Sequence, residues 1–207
     1  AIATPVLHEH SPAHLRDADD RWTALSLRAR IIAVSKERVG RQTITTIEDL
    51  ATPKWKGRVC TRKGSHVYNR ALLASRIAQH GEDEARNWTS GQIENLARRP
   101  QGNDRAQAKA IYSGECDVAL MNTYYFGKMK FSEDQPEQKQ WADAIELAFF
   151  NQQDRGQHVN ISAAGITKGS KQKELARDFL EWLTSEEAQR LYTEVNFEYP
   201  VNPAAEV

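Results

Sequence analysis

Apolar and polar positions along the chain fall into blocks whose period switches between two and roughly three and a half. "TALSLRARIIAVSKERV" alternates and then turns apolar at Ile31, Ile32 and Val34, which predicts one or two strands ending near Lys36. The opening, residues 1–20, has no such period and reads as loop and short turns. Farther on, Thr46 stands three residues before Asp49, a capping-box-like helix start, and the turn of helix should stop before Pro53. "GRVCTR" reads as a short strand. "KGSHVYNRALLASRIAQHG" reads as a loop opening into a helix, with Leu73 and Ile77 on its buried face and Gly81 as its stop. A further helix over "EDEARNWTSGQIENLA" precedes "NDRAQAKAIYSGE", which carries an Asn103/Asp104 cap signal and ends at Gly114.

The strand "CDVALMN" follows, and two adjacent tyrosines come directly after it. "AIELAFF" and "HVNISAAGIT" read as strands. Two helical stripes close the chain, one through Leu175, Phe179, Leu180 and Leu183 and one through Ala188, Leu191, Tyr192 and Val195, ending at Pro200. Strands alternating with helices predict an α/β fold.

Composition narrows the function classes. Lys plus Arg equals Asp plus Glu, 28 against 28, which gives no support to nucleic-acid or anionic-membrane binding. No apolar run approaches the length of a membrane span, so direct membrane insertion is not expected. No basic-then-apolar leader opens the chain; an exported protein would have lost its signal from this sequence. The two cysteines, Cys60 and Cys116, lack a zinc-ligand spacing and read equally well as two thiols or one disulfide; the latter implies an oxidising compartment. His8, His10 and His14 have a superficially metal-like spacing, but Pro12 interrupts them and a solvated loop is the preferred reading. No GxSxG, P-loop, HExxH or paired catalytic carboxylates can be placed, so an enzyme is not the expectation, and His66 and His158 read as structural.

The tyrosines are the chemical signal. A lone Tyr is usually packed with its hydroxyl satisfied, which suits Tyr192 and Tyr199. Tyr124 and Tyr125 are harder to place in a core, because neighbouring residues on a helix point about 100° apart. Both can instead reach a ligand just beyond a strand-to-helix junction. Tyr68 stands at a second such junction, after "GRVCTR" and the loop "KGSH". A phenol ionises near pH 10 in water, so clustered phenolates need strong positive charge, which a trivalent hard cation such as ferric iron supplies. The loop Arg62-Lys63-Gly64-Ser65 could bind an anion at a helix N-terminus, but a solvated loop is the preferred reading.

"KWKGRVCTRKGSHVYNRAL", "GECDVALMNTYYFGKM", "HVNISAAGITKGSK" and "FLEWLTSEEAQRLYTEVNFEYPVNP" closely resemble bacterial ferric-ion-binding proteins, the periplasmic substrate-binding components of iron ABC transporters. The resemblance covers nearly the whole chain, including "HLRD" and "RWTALSLRARIIAVSKERV", and is most specific in the tyrosine blocks. It implies a type II periplasmic binding protein fold of two lobes joined by crossing strands, with the first lobe incomplete. The implied division is 1–33 for the remainder of the first lobe and hinge strand, 34–157 for the second lobe, and 158–207 for the return.

It further implies Tyr68, Tyr124 and Tyr125 as Fe(III) ligands, a synergistic anion such as carbonate near Arg28, Arg30 or Ser65, and a Cys60–Cys116 disulfide bracing the two ligand-bearing strands. A further ligand from the first lobe's N-terminal segment, present in the family, has no counterpart in this sequence. The implied location is the periplasm and the implied partner the membrane permease of an ABC iron importer. An oxyanion-binding protein of the same fold, or less readily an enzyme on a two-lobed scaffold, are the competing readings.

Overall fold

In the computed structural model, which describes residues 2–40 and 44–206, the chain forms two compact units. One comprises Ala29–His158 and the other combines Ala1–Arg28 with Val159–Val207. Strand β1, Thr23–Ser35, contributes to both as one uninterrupted 13-residue strand.

In the central unit, β1 lies between β3 (Val118–Asn122) and β4 (Ile145–Ala148), antiparallel to each. The register pairs Arg30 with Asn122 and Val34 with Val118 on one side, and Ile32 with Ala148 on the other. The two-residue β2, Val59–Cys60, extends the sheet parallel to β3. Ile31 and Ala33 point into one core with Ile111, Met121 and Met129, whereas Ile32 and Val34 point into another with Trp55, Leu72, Trp88 and Leu120. This explains the unbroken apolar run in the sequence. A strand covered on both faces has no polar positions to alternate with.

Helices α4 (Asp104–Tyr112), α5 (Thr123–Lys130) and α6 (Glu137–Asp143) bring residues to the first core. Helices α2 (Val67–His80) and α3 (Glu82–Glu94) do so for the second, along with short 3-10 turns at Glu48–Ala51 and Pro53–Trp55. The expected turn of helix before Pro53 is therefore a 3-10 turn. The capping-box signal is half realised, since Asp49 Oδ2 accepts from the backbone N–H groups of Thr45 and Thr46 at 3.0 and 3.1 Å.

The buried face of α2 differs from the expectation. Leu72 and Arg76 are its buried residues, while Leu73 is half-buried and Ile77 is 39% exposed. Arg76 is held inside because its guanidinium lies 4.6 Å from the Trp88 ring centre and donates to Glu48 Oε1 at 2.5 Å. A paired guanidinium over an aromatic face competes successfully with an aliphatic side chain for that position.

In the other unit, Leu25 packs with Ile2, Leu7 and Leu180, and Ala24 with Leu15 and Val201. Strand β5, Val159–Ala164, pairs with β1. The opening segment is not only loop, because Pro5–His10 forms helix α1. Thr4 caps it through Oγ1, accepting from the Leu7 N–H at 3.1 Å, and Pro5 takes the first helical position, where its missing N–H costs nothing. His8 and His10 contact Asp20 and Thr184 rather than one another, and no group of three or more His, Cys, Asp or Glu side chains placed to hold a metal occurs among the described residues. Helices α7 (Lys173–Leu183) and α8 (Glu186–Leu191) form as the stripes predict, with a π turn over Tyr192–Asn196. Their stripes are not uniformly buried, since Leu180 and Ala188 are covered while Leu175 and Val195 are 63% and 66% exposed.

Candidate metal centre

Strands β2 and β3 run parallel and adjacent, so the chain leaves both at the same edge of the sheet. After β2 a six-residue loop leads into α2, and after β3 helix α5 begins at once. Tyr68 is the second residue of α2; Tyr124 and Tyr125 are the second and third of α5. Parallel neighbours feeding two helix N-termini therefore bring the three phenols together. The hydroxyls of Tyr68 and Tyr124 lie 3.0 Å apart, and the rings of Tyr124 and Tyr125 stack at 4.2 Å between centres.

Each helix start has its own local support. His66 caps α2 by accepting the Tyr68 N–H on Nδ1 at 3.2 Å, and its ring meets the Tyr68 ring edge-on at 4.5 Å. Burial, and then the neighbouring Arg62, hold the His66 pKa down, which favours the neutral ring that this cap requires. Helix α5 has no side-chain cap. The side chain of its flanking Asn122 accepts from Arg30 instead, and the Thr123 hydroxyl accepts from the Ala29 N–H. The uncapped N-terminus adds a positive partial charge beside Tyr124 and Tyr125.

Charged groups ring the phenols. The Arg62 and Arg30 guanidiniums lie 5.0 and 5.8 Å from the Tyr68 ring centre, Arg105 lies 5.2 Å from that of Tyr125, and Lys128 Nζ lies 5.7 Å from that of Tyr124. Against these stands the fully buried Asp104. Its Oδ2 accepts from Arg30 Nη1 at 2.9 Å and from the Asn122 N–H at 2.8 Å, and its Oδ1 from Arg62 Nη1 at 2.9 Å. Arg30 also donates from Nη2 to Asn69 Oδ1 at 2.7 Å. The Tyr124 hydroxyl has its pKa pushed up, first by burial and then by the Tyr125 and Tyr68 hydroxyls. Without a ligand the Tyr124 hydroxyl keeps its proton; ionising it takes a cation that bonds directly to the oxygen.

The expected site residues divide. Tyr68, Tyr124, Tyr125 and Arg30 share one neighbourhood. Arg28 donates from Nη2 to the Ile161 carbonyl at 2.9 Å in the other unit, and Ser65 is an exposed turn residue beside the capping His66. From the same loop, Arg62 joins the phenols instead. His66 is structural, as expected, whereas Asp104, Arg105 and Lys128 are not among the expected site residues. Asp104 stood in plain view within the cap signal, but Asn103 makes the cap, accepting from the Ala106 N–H at 3.1 Å, which frees Asp104 for the arginines. Cys60 and Cys116 are joined by a disulfide with their Cα atoms 5.9 Å apart, as the resemblance implied.

Residues 3–207 match the family model described as bacterial extracellular solute-binding protein. The chain belongs to that family. It is 44% identical over 200 residues to iron uptake protein A1 of Synechocystis sp., covering 97% of its own length and 55% of the relative's. It is 31% identical over 183 residues to the major ferric iron-binding protein of Neisseria meningitidis, covering 88% of itself and 53% of that protein. The chain thus spans about half the length of these relatives. Among solved structures it superposes on a Trichodesmium protein in complex with iron and citrate ligands, with a TM-score of 0.95 at 42% identity, covering 99% of this chain and 65% of that one. The fold is of the type II periplasmic-binding-protein kind.

Proposed function

We propose that the chain belongs to a periplasmic protein that captures Fe(III) through the phenolates of Tyr68, Tyr124 and Tyr125 and hands it to the permease of an ABC importer. The observation that carries this reading is the convergence of the phenols from two strand-to-helix junctions, with the Tyr68 and Tyr124 hydroxyls 3.0 Å apart. The names of the iron-binding relatives support it. Fe(III) is the cargo. Its charge displaces the phenol protons, so uptake releases protons and apparent affinity falls in acid. Reduction to Fe(II) weakens the hold, because the lower charge sustains fewer phenolates. The cations around the phenols oppose a bare metal ion and favour one that arrives with an anion, such as carbonate, for which Arg62, Arg105 and Lys128 are the candidate partners.

The same cations support a second reading, in which an oxyanion alone binds and the protonated phenols donate hydrogen bonds to it. Titration with Fe(III) citrate separates the two. The first predicts a visible tyrosinate-to-iron charge-transfer band that shifts or weakens in Tyr68→Phe, Tyr124→Phe and Tyr125→Phe. A protein that stays colourless with iron but binds phosphate or sulfate overturns it.

A further inference from the structure

Arg30 is fully buried, and its guanidinium is already engaged by the protein. Its backbone is fixed first. On β1 it stands opposite Asn122 of β3, its N–H donates to the His158 carbonyl at 3.0 Å, and its carbonyl accepts from Gln157 Nε2. From that base Nη1 donates to Asn122 Oδ1 at 3.1 Å as well as to Asp104, and Nη2 donates to Asn69 Oδ1 at 2.7 Å.

The two asparagines are the point. Asn69 directly follows Tyr68 on α2, and Asn122 precedes Tyr124 by two residues at the start of α5. One planar fork therefore joins the starts of both tyrosine-bearing helices, and all of these residues belong to the central unit. Asn69 extends the tie into the loop before α2, where its Nδ2 donates to Thr61 Oγ1 at 3.1 Å and to the Arg62 carbonyl at 2.9 Å.

What this tie fixes is a distance. The Tyr68 and Tyr124 hydroxyls lie 3.0 Å apart. An octahedral cation with bonds of about 2.0–2.1 Å holds neighbouring oxygens about 2.8–3.0 Å apart. A calcium-sized ion, with bonds of about 2.3–2.6 Å, would hold them about 3.3–3.7 Å apart at the same angle. The gap between the phenols suits the small ion with neither helix moved, and it is too narrow for the large one.

We propose that Arg30 is the positioning residue of this site, a clamp that holds the two phenol oxygens at the spacing of a small octahedral cation and so selects against larger ions of equal charge. The proposal rests on the phenolate reading above. Arg30 acts through Asn69 and Asn122 and not by touching the ion. Lysine cannot take its place, because a single ammonium lacks the planar fork that reaches both helix starts. Holding the oxygens in advance lowers the ordering cost for an ion that fits and leaves a strain cost for one that does not.

The test compares two trivalent ions of different size, redox-inert Ga(III), which is small, and Tb(III), which is calcium-sized, each presented with citrate. Tyrosinate difference absorbance reads binding of both. The ratio of the two affinities is compared between proteins, so the preference of citrate itself cancels. The unsubstituted protein should favour Ga(III). Arg30→Lys keeps a positive charge beside Asp104, and Asn69→Leu keeps the Arg30–Asp104 pair. In each the ratio should fall about tenfold, the worth of roughly one hydrogen bond to a charged group. Gly91→Ala crowds α3 against Ala51 instead, so it should lower stability and leave the ratio unaltered. A ratio unchanged in either folded clamp variant, or lowered as much by Gly91→Ala, overturns the clamp alone. An unsubstituted protein that fails to bind Ga(III) overturns the phenolate reading and the proposal with it.

Discussion

Replacing Asp104 by asparagine keeps the shape of the side chain and removes its charge, which isolates what that carboxylate does. Asp104 is fully buried and accepts three hydrogen bonds, two of them from guanidiniums, at 2.8 to 2.9 Å. An asparagine keeps one acceptor oxygen and turns its NH₂ toward an N–H donor. Arg30, itself fully buried, would then lack a counter-charge. Breaking one side of a buried ion pair costs about 3–5 kcal/mol. With a urea m-value of roughly 2 kcal/mol/M, the unfolding midpoint should fall by about 1.5–2.5 M. Three of the five tryptophans, Trp55, Trp88 and Trp141, lie in the central unit, so intrinsic fluorescence reports mainly on its unfolding. Arg62→Ala should cost less, because Arg62 retains some solvent exposure and is more readily replaced by water. A loss below about 1 kcal/mol in Asp104→Asn would show that the hub carries no net stabilising charge pairing and would refute the reasoning.

Three other outcomes are expected of the same structure. Burial, and then Arg30, lower the His158 pKa from 6.5 to about 4, so the unfolded state binds the extra proton between those values. Its contribution, up to about 3 kcal/mol, is complete above pH 6.5 and lost as pH falls toward 4, and His158→Gln should flatten that part of the stability–pH curve. Reducing the Cys60–Cys116 disulfide, or replacing both residues by serine, should cost about 4 kcal/mol in the loop-entropy account; unchanged denaturant midpoints would count against it. A Cβ at Gly91 would sit 2.7 Å from the Ala51 carbonyl oxygen and 2.9 Å from its Cβ, so Gly91→Ala should lower stability by about 1–3 kcal/mol in thermal melts.

Much of the layout was legible because local signals agreed with the fold. The apolar run through Ile31 and Val34 announced a strand, and "HVYN" and "NTYY" placed the tyrosines at helix starts. What escaped was set by pairing across the sequence. Arg76 looks like a surface residue until Glu48 and Trp88 are brought to it, which is why the α2 stripe read through Leu73 and Ile77 rather than Leu72 and Arg76. Asp104 looks like a helix cap until Arg30 and Arg62 arrive from 74 and 42 residues away. The opening helix escaped for a different reason, since its six residues are too few to show a period.

The disulfide also decides what a protease can separate. Helices α2 and α3 meet at the exposed Gly81, with φ of 82°, between Cys60 and Cys116 in sequence. A single cut there would put Tyr68 on one fragment and Tyr124 and Tyr125 on the other. While the sulfur bridge persists the fragments remain one covalent molecule, so nicking alone cannot disperse the phenol cluster.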